Sequence, residues 1–178
     1  IMFFAILALV QDGDEVIYPD PGFPIYESMT RFVGATPVPI PIRQENDFRL
    51  DPDELTRLVT PRTKLIIFNS PANPTGGVLT RDDLVRIADV ARERDIPILA
   101  DEIYSRILYE GEHVSITTLP GMPERTIILD GFSKTYAMTG WRMGYAVWPA
   151  ELVEHATRLA INCHSCVNAA AQHAGIAA

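Results

Sequence analysis

The sequence predicts an α/β fold, a mostly parallel sheet flanked by helices in an α/β/α arrangement. Two observations carry that prediction. Short β-like runs alternate along the chain with stretches of helical spacing. The run Lys64-Leu65-Ile66-Ile67-Phe68-Asn69 is apolar almost without interruption, as in a strand covered on both faces. No low-complexity linker or internal repeat breaks the 178 residues, a length that suits one domain with its own core.

Taken in order, Ile1 to Val10 reads as a buried helix, with Gly13 just past its end as a stop. The stretch is far shorter than the roughly 20 apolar residues of a membrane span. It also lacks the basic leader and cleavage site of a signal peptide. A helix that starts at residue 1 with no N-cap and no initiator Met predicts further chain upstream.

Glu15-Val16-Ile17-Tyr18 follows as a short strand ending in the turn Pro19-Asp20-Pro21-Gly22. A helix is expected from about Pro24 to Phe32, ended by Gly34. Prolines at every second position make Thr36 to Ile42 an edge strand or exposed connection. Asp51-Pro52-Asp53-Glu54 is a helix start, with Asp as N-cap and Pro in the first position. Thr80 caps a helix whose apolar positions Leu84, Ile87, Ala88 and Ala91 keep helical spacing. Pro97-Ile98-Leu99-Ala100 and Thr126-Ile127-Ile128-Leu129 are further buried strands. Gly144 to Trp148 is a fifth strand, and the chain is helical from Glu151.

With 47% hydrophobic and 21% charged residues the composition is that of an ordinary globular protein. The net charge of -8 argues against nucleic acid or an anionic membrane as a main partner, since both demand a basic footprint. Cys163 and Cys166 form a C-x-x-C pair, but zinc needs four ligands and there is no second pair. No metal site is expected. The two cysteines read as small buried apolar residues, compatible with a reducing cytoplasm.

In parallel sheets ligands bind beyond the carboxyl ends of strands. That rule selects three polar clusters: Asn69 to Gly76, Asp101 to Tyr104, and Asp130 to Lys134. In the third, Ser133-Lys134 is followed among glycines by Arg142. Such a set suits an anionic group held beside an amine nucleophile. Lysine amines form Schiff bases with carbonyl ligands, and arginine offers a fixed fork to phosphate.

The run Ser133-Lys134-Thr135-Tyr136-Ala137-Met138-Thr139-Gly140-Trp141-Arg142-Met143-Gly144 resembles the cofactor-lysine signature of class I/II aminotransferases, the aspartate aminotransferase superfamily. Three further motifs resemble that family in the same order. They are Pro19-Asp20-Pro21-Gly22-Phe23-Pro24-Ile25-Tyr26, Asn69-Ser70-Pro71-Ala72-Asn73-Pro74-Thr75-Gly76 and Asp101-Glu102-Ile103-Tyr104. The resemblance spans nearly the whole chain.

It implies the large domain of a fold-type-I enzyme dependent on pyridoxal 5'-phosphate, truncated at both ends. Residues 1–178 would then be part of that domain, with the small domain absent. By the same resemblance Lys134 forms the Schiff base and moves the substrate Cα proton. Asp101 binds the protonated pyridine nitrogen, and Tyr104 and Asn73 hydrogen-bond the ring's phenolic oxygen. Ser133 and Arg142 hold the phosphate, and Phe23 stacks on the ring. Gly131 departs from the many relatives with a phosphate-binding hydroxyl there.

The implied reaction moves an amino group between an amino acid and a 2-oxo acid, in a cytoplasmic homodimer. Other readings stay open: a β-lyase, decarboxylase or aminocyclopropane-carboxylate synthase on the same scaffold, or the aminotransferase-like sensor half of a transcription regulator. A nucleotide-binding α/β domain is weak, because no G-x-G-x-x-G follows the first strand.

Overall fold

Residues Ile1–Ala178 are described by a computed structural model. Its strands are β1 (Glu15–Asp20), β2 (Thr36–Pro41), β3 (Thr63–Asn69), β4 (Ile98–Asp101), β5 (Thr126–Gly131) and β6 (Gly144–Val147). They form one sheet in the order β2-β1-β3-β4-β5-β6. Strands β1 to β5 run parallel and β6 pairs antiparallel with β5. The helices are α1 (Met2–Leu9), α2 (Ile25–Phe32), α3 (Pro52–Leu58), α4 (Arg81–Glu93), α5 (Val153–His164) and α6 (Ala169–Ala177).

The period of two along a strand sends alternate side chains to opposite faces. On β3, Leu65 and Ile67 join a core with Met2, Ala5 and Ile6 of α1 and Tyr26 of α2. Ile66 and Phe68 turn the other way, onto Leu55 of α3 and Leu84, Ile87 and Ala88 of α4. Both faces are therefore covered, and the α/β/α arrangement follows. Fully burying one such Leu or Ile contributes about 1.5–3 kcal/mol.

The helix signals act as their chemistry predicts. The Asp51 carboxylate accepts from Asp53 N at 2.9 Å. Thr80 Oγ1 accepts from Asp83 N at 3.1 Å while Asp83 Oδ2 accepts from Thr80 N at 2.9 Å, a complete capping box. Pro24 sits at the N-cap of α2, and Gly34 (φ 83°) turns the chain after it. The proline-spaced segment is indeed an edge strand, β2, beside β1.

Three expectations need correction. The first helix is only half buried: Met2, Ala5 and Ile6 are enclosed, and the other side chains are partly open. The strand expected at Gly144 to Trp148 is present as β6, at the exposed edge, and it runs antiparallel because residues 132–143 between β5 and β6 hold only turns and one short 3₁₀ segment. A parallel return needs a longer crossover. Cys163 and Cys166 are exposed, not buried. Helix α5 buries only Ala156, so its last turn lies on the surface, and Ser165 (φ 61°) ends it before Cys166. The helical run from Glu151 also divides, into a 3₁₀ turn at Ala150–Leu152, then α5, then α6. No helix is long and apolar enough to cross a membrane.

Candidate active site

Strand order reverses between β1 and β3, the place where parallel sheets open a crevice. Phe23 follows β1, and Asn73 lies in the turn after β3. Asp101 is the last residue of β4, with Tyr104 three residues on. Ser133, Lys134 and Arg142 lie in the connection after β5. The ladder sets Asn69 opposite Asp101 and Asp101 opposite Leu129, so β3 and β4 end level and β5 runs two residues further, to Gly131. All seven residues singled out in the sequence line one cavity of about 1130 Å³.

Asp101 forms its buried anionic part, with 5% of its surface exposed. Tyr26 Oη donates to Asp101 Oδ2 at 2.8 Å, and Ile103 N donates to Oδ1 at a longer 3.3 Å. Burial pushes the carboxyl up to about 6, and the two hydrogen bonds oppose that rise. The neighbouring charges of Asp130 and Glu102 add to it. Tyr26 is fully buried, and burial, then the Asp101 charge, hold its phenol well above the ordinary range. Asp101 is followed by a turn, not a helix.

The cationic side is more open. Lys134 and Arg142 are both exposed, and neither is in an ion pair. Lys134 Nζ lies 5.7 Å from the centroid of the Tyr104 ring, within cation–π reach. Arg142 takes a left-handed backbone (φ 54°), uncommon for a non-glycine residue, and its Nη1 donates to Thr139 O at 2.8 Å. Phe23 is 39% exposed, its ring 6.1 Å from that of Tyr26 in an edge-to-face arrangement.

Gly131 leaves no space for a side chain. A Cβ there would lie 2.9 Å from Gly144 Cα and 3.2 Å from Met143 O. The departure from a hydroxyl residue at this position thus accompanies a close approach of β5 and β6.

Three residues that shape the site had not been singled out. Asn69 donates from Nδ2 to Asp101 O at 2.8 Å and accepts at Oδ1 from Asn73 N at 2.7 Å. Tyr26 was quoted within a motif, but its partner is 75 positions away. Helical spacing from Phe23 would have placed Tyr26 on a buried face; no local pattern announces the hydroxyl's target. Glu102 ties down the connection carrying Tyr104: its carboxylate meets His113 Nε2 at 2.9 Å and accepts from Ser115 Oγ at 2.7 Å.

A buried carboxylate, an amide, a phenol, an amine, a guanidinium and a hydroxyl around one cavity can hold a flat polar ring by its opposite ends. The acid would meet a ring cation, and the amine and guanidinium would lie on the side suited to an anion.

Residues 1–178 match the family model described as aminotransferase class I and II. The chain is 48% identical over 148 residues to an aspartate aminotransferase of Pyrococcus abyssi, covering 83% of this chain and 38% of that protein. It is 45% identical over 166 residues to an aromatic-amino-acid aminotransferase of Thermococcus litoralis, covering 93% and 43%. The crystal structure of an aromatic aminotransferase from Pyrococcus horikoshii superposes with a TM-score of 0.94 at 41% identity, over 97% of this chain and 47% of that one. The chain thus spans less than half the length of these relatives. It belongs to the class I and II aminotransferase family.

Proposed function

We propose that this chain holds the cofactor site of an aminotransferase that moves an amino group between an amino acid and a 2-oxo acid, with pyridoxal 5'-phosphate attached to Lys134. The observation that carries the reading is the enclosure of one cavity by Phe23, Asn73, Asp101, Tyr104, Ser133, Lys134 and Arg142. The donor set fits the cofactor. Asp101 is a buried carboxylate for a protonated ring nitrogen, Tyr104 and Asn73 are donors for the ring's oxygen, and Ser133 and Arg142 are donors for its phosphate. Phe23 supplies an apolar face.

When bound, the cofactor supplies an electron sink for the substrate Cα–H bond. The remaining work belongs to the chain. Lys134 attaches the cofactor through its amine, and once displaced by the substrate amine it takes the proton from Cα and returns one on the other side of the transfer. Asp101 keeps the ring nitrogen protonated. Tyr104, its ring centroid 5.7 Å from Lys134 Nζ, helps to orient that amine. The same reading carries a homodimer and a cytoplasmic location; light scattering on the intact protein tests the first and fractionation the second.

The chain contains two lysines, Lys64 and Lys134, which makes attachment easy to read. The intact protein is incubated with pyridoxal phosphate, reduced with borohydride, digested and analysed by mass spectrometry. The label is expected on Lys134 and absent from Lys134→Ala. A label that favours Lys64, or that survives Lys134→Ala, refutes the assignment. A panel of amino acids with 2-oxoglutarate then reads the reaction. Release of ammonia or CO₂ in place of amino transfer would assign a lyase or decarboxylase.

A further inference from the structure

We propose that Tyr26 is a positioning residue of this site, its buried hydroxyl holding the Asp101 carboxylate ionised and turned toward the cationic ring nitrogen of the ligand. The inference deepens the cofactor reading above and rests on it for the identity of the ligand. Its structural basis is independent of any ligand. Tyr26 Oη donates to Asp101 Oδ2 at 2.8 Å, and both residues are buried. The only other hydrogen bond to the carboxylate is the 3.3 Å contact from Ile103 N. Tyr26 is therefore the stronger of two fixed donors on a group that burial drives toward its neutral form.

Every other charged or titratable group facing Asp101 either opposes ionisation or lies across the cavity. Glu102 is its neighbour on the chain, and Asp130 comes from β5; both disfavour a second negative charge. Tyr104 is in the turn after β4, and Lys134, whose Nζ lies 5.7 Å from the centroid of that phenol ring, forms no ion pair with Asp101. Helix α2 contributes Tyr26 itself. The same ring meets Phe23 edge-to-face at 6.1 Å, so one side chain braces both the acid and the aromatic wall.

A proton on Asp101 would remove its charge and set a donor against a protonated ring nitrogen. Without the phenol, burial acts on Asp101 with only the weak Ile103 bond opposing it. Loss of a hydrogen bond to a charged group moves the midpoint by about one pH unit.

The test is a ¹³C-carboxyl NMR titration of the intact protein without cofactor, with Asp101→Asn assigning the Asp101 signal. In the parent the midpoint is expected at about 6. In Tyr26→Phe, which keeps the ring and its packing, it should rise by about one pH unit. Replacing Tyr26 with difluorotyrosine, a stronger donor of nearly the same shape, should lower it, and serves if the Phe variant folds poorly. Cofactor binding followed by fluorescence should then weaken about tenfold near pH 5 and about twofold at pH 7 in Tyr26→Phe, and recover toward pH 8.5, where Asp101 is ionised in both proteins. An unmoved midpoint, or a binding loss that does not recover with pH, overturns the proposal. If the parent takes up no cofactor, the cofactor reading falls, whereas the Asp101 midpoint still reports the Tyr26 contact on its own.

Discussion

The side chain of Asn69 accepts a 2.7 Å hydrogen bond from the backbone N–H of Asn73. Its other end donates to the Asp101 carbonyl at 2.8 Å. One buried amide thus fixes the turn after β3 to the end of β4, and with it the spacing between two walls of the cavity. Asn69→Ala would strand a donor and an acceptor in a site that is 7% exposed. Each stranded group costs about 1–3 kcal/mol. The melting temperature is expected to fall by roughly 2–4 °C for each kcal/mol lost. Calorimetry of parent and variant checks this, and an unchanged melting temperature would show that the clamp bears no weight.

Asp101 should make the protein's stability depend on pH in an unusual direction. Its folded value of about 6 lies above the ordinary 3.8. Between those two values the folded state binds more protons than the unfolded one, so this group's contribution falls as pH rises. The penalty is complete above about pH 6 and amounts to roughly 3 kcal/mol. Asp101→Asn keeps an acceptor for Tyr26 and never carries the charge. Urea unfolding of both proteins from pH 4 to pH 8 should show the variant gaining relative to the parent through this window, then holding a constant margin. A margin that shrinks with rising pH would contradict the burial argument.

Gly131 is expected to resist the substitution that resemblance to many relatives invites. In Gly131→Ser the new Cβ meets the backbone of β6 at Gly144 and Met143, not the end of a flexible side chain. Strands β5 and β6 must separate, at a cost of about 1–3 kcal/mol. The same shift moves the turn that carries Ser133 and Lys134. A thermal melt reads the first effect, and the yield of borohydride-fixed cofactor on Lys134 reads the second. If the serine variant melts with the parent and gains cofactor affinity, the close approach is not limiting.

Much of this architecture is local enough to be read from residues in order. Asp51 and Thr80 cap their helices because a short side-chain oxygen reaches an N–H two or three residues on. The apolar run at β3 announces a strand covered on both faces, because leaving it in water would expose too much apolar surface. The strand-end rule selected the clusters that hold Asn73, Asp101, Tyr104, Ser133 and Lys134, because strand ends in a parallel sheet meet along one rim, whereas Phe23 came from the family resemblance and Arg142 from its place after Ser133-Lys134. Surface placement was less legible. Cys163 sits on a helix that buries one alanine and Cys166 lies just past its end, and side-chain polarity alone does not say which face of such a helix meets the core.

What the sequence by itself determined is the α/β order, the strand ends and the residue types arriving there. These depend on interactions between near neighbours and on the alternation of apolar and polar positions. Only the tertiary structure decided the antiparallel return of β6, the want of space at Gly131, the clamp made by Asn69 and the bond from Tyr26 to Asp101. Each of these is a contact between segments distant in sequence, fixed to a fraction of an ångström by how the helices and strands pack, and such contacts leave no periodic trace along the chain.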